Sequence, residues 1–307
     1  MGHAYSYETT LATAERVGFR IDEVLDARAE FDFTRPFLPE SLAASQRLTV
    51  LTPAERLTLN HVRGYSYLCL FGLVEELILP FVLDHARADL GGDDVRTRAL
   101  LTFASEEAKH IQLFKRFRDC FERGFGTRCD VVGPAAPIAR AILGHGPLGV
   151  SLLILHIEWM TQRHFVDGVR DELTIEPQFK SLLKNHWLEE AQHAKLDTLM
   201  VEQLAAQLTP REISAAIEEY LELGLSVRDL LDQQVGLDLA SFERASGRVL
   251  TASERSEVHA VQRRALHWTF LGSGMTHPNF LSTVETLSPA GAARVRAVSE
   301  AFCTQND

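Results

Sequence analysis

His186-Trp187-Leu188-Glu189-Glu190-Ala191-Gln192-His193 ends in a Glu-x-x-His pattern, and Glu107-Ala108-Lys109-His110 carries another. On a helix, residues i and i+3 face the same side, so both side chains of each pattern can reach one ion. The pattern is cheap, and two copies in 307 residues prove little on their own. Their spacing is more informative. Glu107 and Glu190 are 83 residues apart, as are His110 and His193. The same shift carries Glu75 onto Glu158, and each of these lies inside an apolar run. The chain reads as two helix pairs, each offering Glu on its first helix and Glu-x-x-His on its second. That is the donor set of a dinuclear carboxylate bundle.

A carboxylate is rarely buried unless it is paired or bound to metal. Four carboxylates on facing helices would repel or take up protons, whereas two divalent ions cancel their charge. Mixed carboxylate and imidazole donors suit iron or manganese, and no thiolate joins the set. Glu76 competes with Glu75 but sits about 100° around the helix, and the 83-residue shift selects Glu75. Glu106 and Glu189 precede the two motif acids and fall off the i,i+3 pattern, so a helix seam or solvent is expected for them. His186 lies within about a 60° arc of Glu190 and His193 and can face the same ions. Its counterpart 83 residues earlier is Phe103, which cannot ligate. Unequal nitrogen ligation follows: His110 alone for one metal, His193 with His186 for the other. His156 and His164 are expected to make ordinary polar contacts. Tyr65, Tyr67, Trp159 and Trp187 read as plain core.

Outward from these motifs, helix signals dominate and hairpin signals are nearly absent. Thr52-Pro53-Ala54-Glu55 is a helix start, and Thr209-Pro210-Arg211-Glu212 repeats it. The expected long helices cover about 54–87, 94–122, 147–171 and 177–207, with Gly91-Gly92-Asp93-Asp94 and the stretch from Gly124 to Pro137 as breaks. Further helices are expected over about 11–30, 210–234 and 253–271, with Ser253 as the cap of the last, and a short one from Ser288-Pro289. The expected fold is all-α, a four-helix bundle over about 54–207 with accessory helices at about 11–30 and 210–303. With no linker long enough to divide it, residues 1–307 read as one domain.

Composition narrows the function. Hydrophobic residues make up 46% and charged residues 24%, which is not the balance of a disordered chain. Asp and Glu exceed Lys and Arg by 42 to 31, which argues against a nucleic-acid partner or an anionic membrane surface. The most apolar window, Leu68 to Leu83, carries Glu75 and Glu76 in its middle. Cys69, Cys120, Cys129 and Cys303 show no CxxC spacing and read as reduced thiols in a cytoplasmic protein. No nucleophile elbow, Walker loop or dinucleotide fingerprint is present, so electrons would have to come from an external reductant such as a ferredoxin or flavoprotein.

The four-helix donor pattern resembles the ferritin-like superfamily. His186 to His193, read as His-x-x-x-Glu-x-x-His, is similar to the extra-histidine motif of the p-aminobenzoate N-oxygenase family. Ile175-Glu176-Pro177, Glu75-Glu76-Leu77-Ile78 and Glu107-Ala108-Lys109-His110 also look like segments of that family, and the resemblance covers roughly residues 60–205. It implies a non-haem di-iron centre that activates O2 and oxidises an amine nitrogen of a small-molecule substrate. Carried over residue by residue, its ligands are Glu75, Glu107, His110, Glu158, His186, Glu190 and His193. Two iron ions are the implied cofactor, with manganese or a mixed pair as the alternative, and a homodimer is open. The rival readings are a di-iron hydroxylase, desaturase or aldehyde-oxidising enzyme, and a ferroxidase, iron-storage or electron-transfer protein.

Overall fold

The protein is described by a computed structural model that covers residues 3–26, 28–88, 90–92 and 94–303. Asp93, part of the expected break, lies outside the described residues. In chain order the helices are α1 (Tyr7–Val17), α2 (Ile21–Val24), α3 (Glu40–Ala43), α4 (Pro53–Ala88), α5 (Asp94–Phe125), α6 (Ala135–Leu143) and α7 (Pro147–Arg163). They continue with α8 (Pro177–Ala205), α9 (Pro210–Ser246), α10 (Ala252–His267), α11 (Ser273–Met275), α12 (Pro278–Leu287) and α13 (Pro289–Cys303). Two π-helical turns, His164–Val169 and Trp268–Gly272, extend α7 and α10. No strand occurs among the described residues.

The four long helices of the sequence reading are α4, α5, α7 and α8. α4 packs along α5, α7 packs along α8, and α5 meets α8. α9 lies against both α4 and α7, and α1 lies against both α5 and α8. The accessory helices therefore close two opposite flanks of the four-helix bundle. By length and apolar composition α4 alone, among the described residues, could cross a bilayer, but 72% of its apolar window is buried within the protein.

Four local expectations are corrected. The helix expected over about 11–30 is two short ones, because the chain is extended at Gly18 and Arg20 between them. α6 occupies ground read as loop. Its Pro137 sits in the first helical turn, where a missing N–H costs nothing. α9 runs twelve residues past its expected end at 234. Gly236 does not stop it, and the true stop is Gly247, whose φ of 70° is the left-handed cap that glycine adopts without strain. α10 is capped by Thr251, not Ser253, through a reciprocal bond with Glu254. The connector between α2 and α3 fills one end of the bundle, where the Phe37 ring stacks 4.9 Å from Phe179.

Candidate metal centre

The bundle brings all seven candidate ligands into its interior: Glu75 from α4, Glu107 and His110 from α5, Glu158 from α7, and His186, Glu190 and His193 from α8. Six of them form two tight, overlapping groups. Donor atoms of Glu75, His110, His186 and Glu190 lie within 4.8 Å of one another, and so do those of Glu107, His110, Glu190 and His193. Glu158 is buried beside Glu190 but outside both groups. Glu76 points to solvent.

The two motif histidines are aimed by carboxylates that cross between helices. His110 Nε2 lies 2.8 Å from Glu189 on α8, and His193 Nε2 lies 2.9 Å from Glu106 on α5. Each imidazole that donates its Nε2–H outward is left with Nδ1 facing the cluster. His110 Nδ1 stands 3.0 Å from Glu190, and His193 Nδ1 stands 2.9 Å from Glu107 and 3.0 Å from Glu190. Lys109 pairs with Glu189 and anchors it further. Glu106 and Glu189 therefore sit at the α5–α8 seam, one of the two places expected for them, and there each bonds a motif histidine. They obey the same 83-residue shift as the ligands, and that signal was available in the sequence.

Removing either orienting carboxylate should loosen the metals without deleting a ligand. Glu189→Gln and Glu106→Gln are each expected to weaken metal affinity by about 10–100-fold. Equilibrium competition against a chromogenic chelator measures this, and wild-type affinity in both variants would show that the crossed bonds do not tune the centre.

His186 takes a different place from the one expected. Its Nε2 lies 3.1 Å from Glu75 and 2.7 Å from Glu190, and its ring stands 4.6 Å from that of His110. It falls in the group with Glu75, His110 and Glu190 and outside the one that holds His193, while His110 belongs to both. The cause is distance along α8: His186 is one turn before Glu190 and His193 one turn after it. The two rings are thus about 10 Å apart along the axis and reach opposite ends of the cluster. His110 has one free nitrogen and can serve only one ion, whereas the two-oxygen carboxylates of Glu107 and Glu190 can serve two. The geometry gives two overlapping groups, with Glu75 and His186 at one end, Glu107 and His193 at the other, His110 and Glu190 common to both, and Glu158 outside them.

The electrostatics are those of an acid cluster holding protons. Burial, reinforced by Glu107, drives the Glu75 carboxyl well above its usual range. Burial and then Glu190 do the same to Glu158. Burial also works against charge on Glu190, but the His186 and His193 imidazoles hold it well below the ordinary carboxylate range. Burial opposes protonation of His110 and His193, yet Glu190 and the other surrounding carboxylates push both well up. Several buried donor atoms make no well-aligned hydrogen bond, even where a neighbour stands within ion-pair distance: Glu75 Oε2, both oxygens of Glu107, His110 Nδ1, Glu158 Oε2 and Glu190 Oε1. Orphaned polar atoms are costly and rare in a native core. Here they converge on one place.

The remaining histidines of α7 and its π turn behave as expected. His156 Nδ1 lies 2.9 Å from the Tyr220 hydroxyl, and His164 bridges the Tyr67 hydroxyl at 3.1 Å and the Thr269 carbonyl at 2.9 Å. Burial pushes their pKa values down to about 3 and about 4 respectively, so both are neutral spacers in the core.

No protein-family model matches the chain, and no curated protein matches it either. Among solved structures, it is similar to an R2-like ligand-binding oxidase. A tyrosine-to-phenylalanine variant with anaerobically reconstituted Mn/Fe cofactor shows 13% identity, covering 87% of this chain and 93% of that one, at a TM-score of 0.49. An alanine-to-phenylalanine variant shows 14% identity over 88% and 92%, at 0.48. The same oxidase with aerobically reconstituted Mn/Fe cofactor shows 12% identity over 87% and 92%, at 0.45.

Proposed function

We propose that the protein is a dinuclear non-haem oxidase that uses O2 to oxidise a small organic substrate at an amine nitrogen. The observation that carries this is the convergence of carboxylate oxygens and imidazole nitrogens, several of them without a well-aligned hydrogen bond, in one buried cluster. Such a donor set fits two iron or manganese ions. Glu75, His110 and His186 would hold one ion, His193 and Glu158 the other, and Glu107 and Glu190 would be shared. When bound, the pair supplies the reaction with O2 and the redox change.

The chain's own residues supply placement. Glu106 and Glu189 fix the ring faces of His193 and His110. Phe103 stacks on His193, and Phe71 and Phe114 meet His186 edge-on, so that apolar rings flank the centre and keep water from it. No side chain is needed as general acid or base. The amine as substrate rests on the His-x-x-x-Glu-x-x-His resemblance. An apolar groove of about 680 Å3 beside α4, α5 and α6, lined by Leu79, Ile111, Ala139 and Leu143, suits a small organic molecule. Its rim also carries Glu76 and Arg140. Electrons would come from an external protein donor.

The test is to load the protein anaerobically with Fe(II), supply reductant, and expose it to O2 with a panel of arylamines. Hydroxylamine, nitroso or nitro products by mass spectrometry support the proposal. Oxygen uptake that yields only ferric mineral would replace it with a ferroxidase reading, and attack on carbon alone would replace it with a hydroxylase. His186→Ala is expected to retain the fold and part of the metal but to lose amine oxidation. Native turnover in that variant would remove His186 from the working centre.

A further inference from the structure

The inward stripe of α8 does not end at His193. One turn further stands Asp197, and positions 186, 190, 193 and 197 fall within about 60° of arc. Asp197 is buried as deeply as the candidate ligands, with 1% exposure, and its Oδ2 has no hydrogen-bond partner. On α7, Glu158 Oε2 is likewise buried without a hydrogen-bond partner. Burial pushes the Asp197 carboxyl well up, and Glu107 and Glu190 add to this against His193. Asp197 in turn is one of the groups that push Glu158 up. No lysine or arginine is among the charges acting on either acid. Two buried acids, each with an idle oxygen and with the His193 imidazole as the opposing charge acting on both, are stabilised further when a metal ion joins them.

We propose that Asp197 is an eighth metal ligand, placed on the Glu158–His193 side of the centre. This rests on the two-metal reading above and deepens it. His186 enriches the Glu75–His110 side in nitrogen, and Asp197 enriches the opposite side in oxygen. The two positions then differ in hardness. The oxygen-rich position favours Mn(II), and the imidazole-rich position favours iron.

The test is Mn(II) titration of metal-free wild type and Asp197→Asn, with free Mn(II) read by EPR, plus thermal unfolding of both proteins with and without metal. Wild type is expected to bind two equivalents. Asp197→Asn should lose at least about tenfold in affinity for one equivalent, as an imperfect site does, and keep the other. The metal-free variant should melt no lower than metal-free wild type, because a buried unpaired acid has been removed, while the loaded variant should melt below loaded wild type. Asp197→Glu, which keeps a carboxylate, should retain both equivalents and guards against a folding defect in the amide variant. Two equivalents at wild-type affinity in Asp197→Asn would overturn the assignment while leaving the two-metal reading intact. Equal lowering of the metal-free and loaded melts would make Asp197 structural. Wild type that binds fewer than two ions would overturn the two-metal reading itself, and the eighth ligand with it.

Discussion

Glu190→Ala should leave the protein without either metal. Glu190 belongs to both tight groups, and its two oxygens face opposite ways: Oε1 toward His110 and His186, Oε2 toward His193. Removing it deletes the shared carboxylate and leaves three imidazoles around the remaining acids with less negative charge to hold a cation. By contrast, Glu75 belongs to one group only, so Glu75→Gln should empty one position and spare the other. Metal content per chain after exhaustive dialysis separates these outcomes. Two metals per chain in Glu190→Ala would refute the shared-carboxylate arrangement. Loss in Glu76→Gln rather than Glu75→Gln would reverse the choice made on spacing, although Glu76 faces solvent.

The loaded protein should be far more stable than the metal-free one, and the gap should widen with pH. A site filled at a hundredfold excess over its dissociation constant contributes about 3 kcal/mol, so two sites imply an unfolding midpoint higher by roughly 10 °C or more. The pH dependence follows from the direction of each shift. Glu75, Glu158, His110 and His193 all have folded-state pKa values above their unfolded ones. Their contribution to the metal-free fold is full below the unfolded values and is lost as pH rises through the folded ones. Glu107, lowered to about 2, and Glu190, also lowered, contribute in the opposite sense, but only below the ordinary carboxylate range. Between pH 6 and 8 the metal-free protein therefore weakens as pH rises. Metal displaces the same protons and binds better over that interval. Calorimetry at both pH values, with and without chelator, gives the comparison. A gap that narrows from pH 6 to pH 8 would mean that these groups do not hold protons in the metal-free core.

The bundle was legible because a single 83-residue shift relates three pairs of polar residues inside otherwise apolar helices. Chance does not easily produce that, whereas one Glu-x-x-His is cheap. The same shift also relates Glu106 to Glu189, yet both were assigned to a seam or solvent. Helix periodicity places a residue relative to its own axis but does not say how far a long side chain reaches toward the next helix. His186 shows a complementary limit. An arc of about 60° brings it to the correct face, but angle carries no information on axial displacement, and it is displacement that decides which metal a side chain meets. Asp197 lay on that same stripe and passed unremarked because it belongs to no spaced motif. α6 and the last third of α9 were hidden by proline and glycine, whose cost depends on position within a helix. Pro137 in a first turn and Gly236 under a continuous packed helix are both tolerated.

The two carboxylate–histidine bonds run in opposite directions, Glu189 on α8 to His110 on α5 and Glu106 on α5 to His193 on α8. Together they work as a double bolt. If α8 slid one turn along α5, about 5.4 Å, both bonds would break in the same movement, and no intermediate register would keep one of them. A slide of these two helices past one another is therefore opposed by both bonds at once.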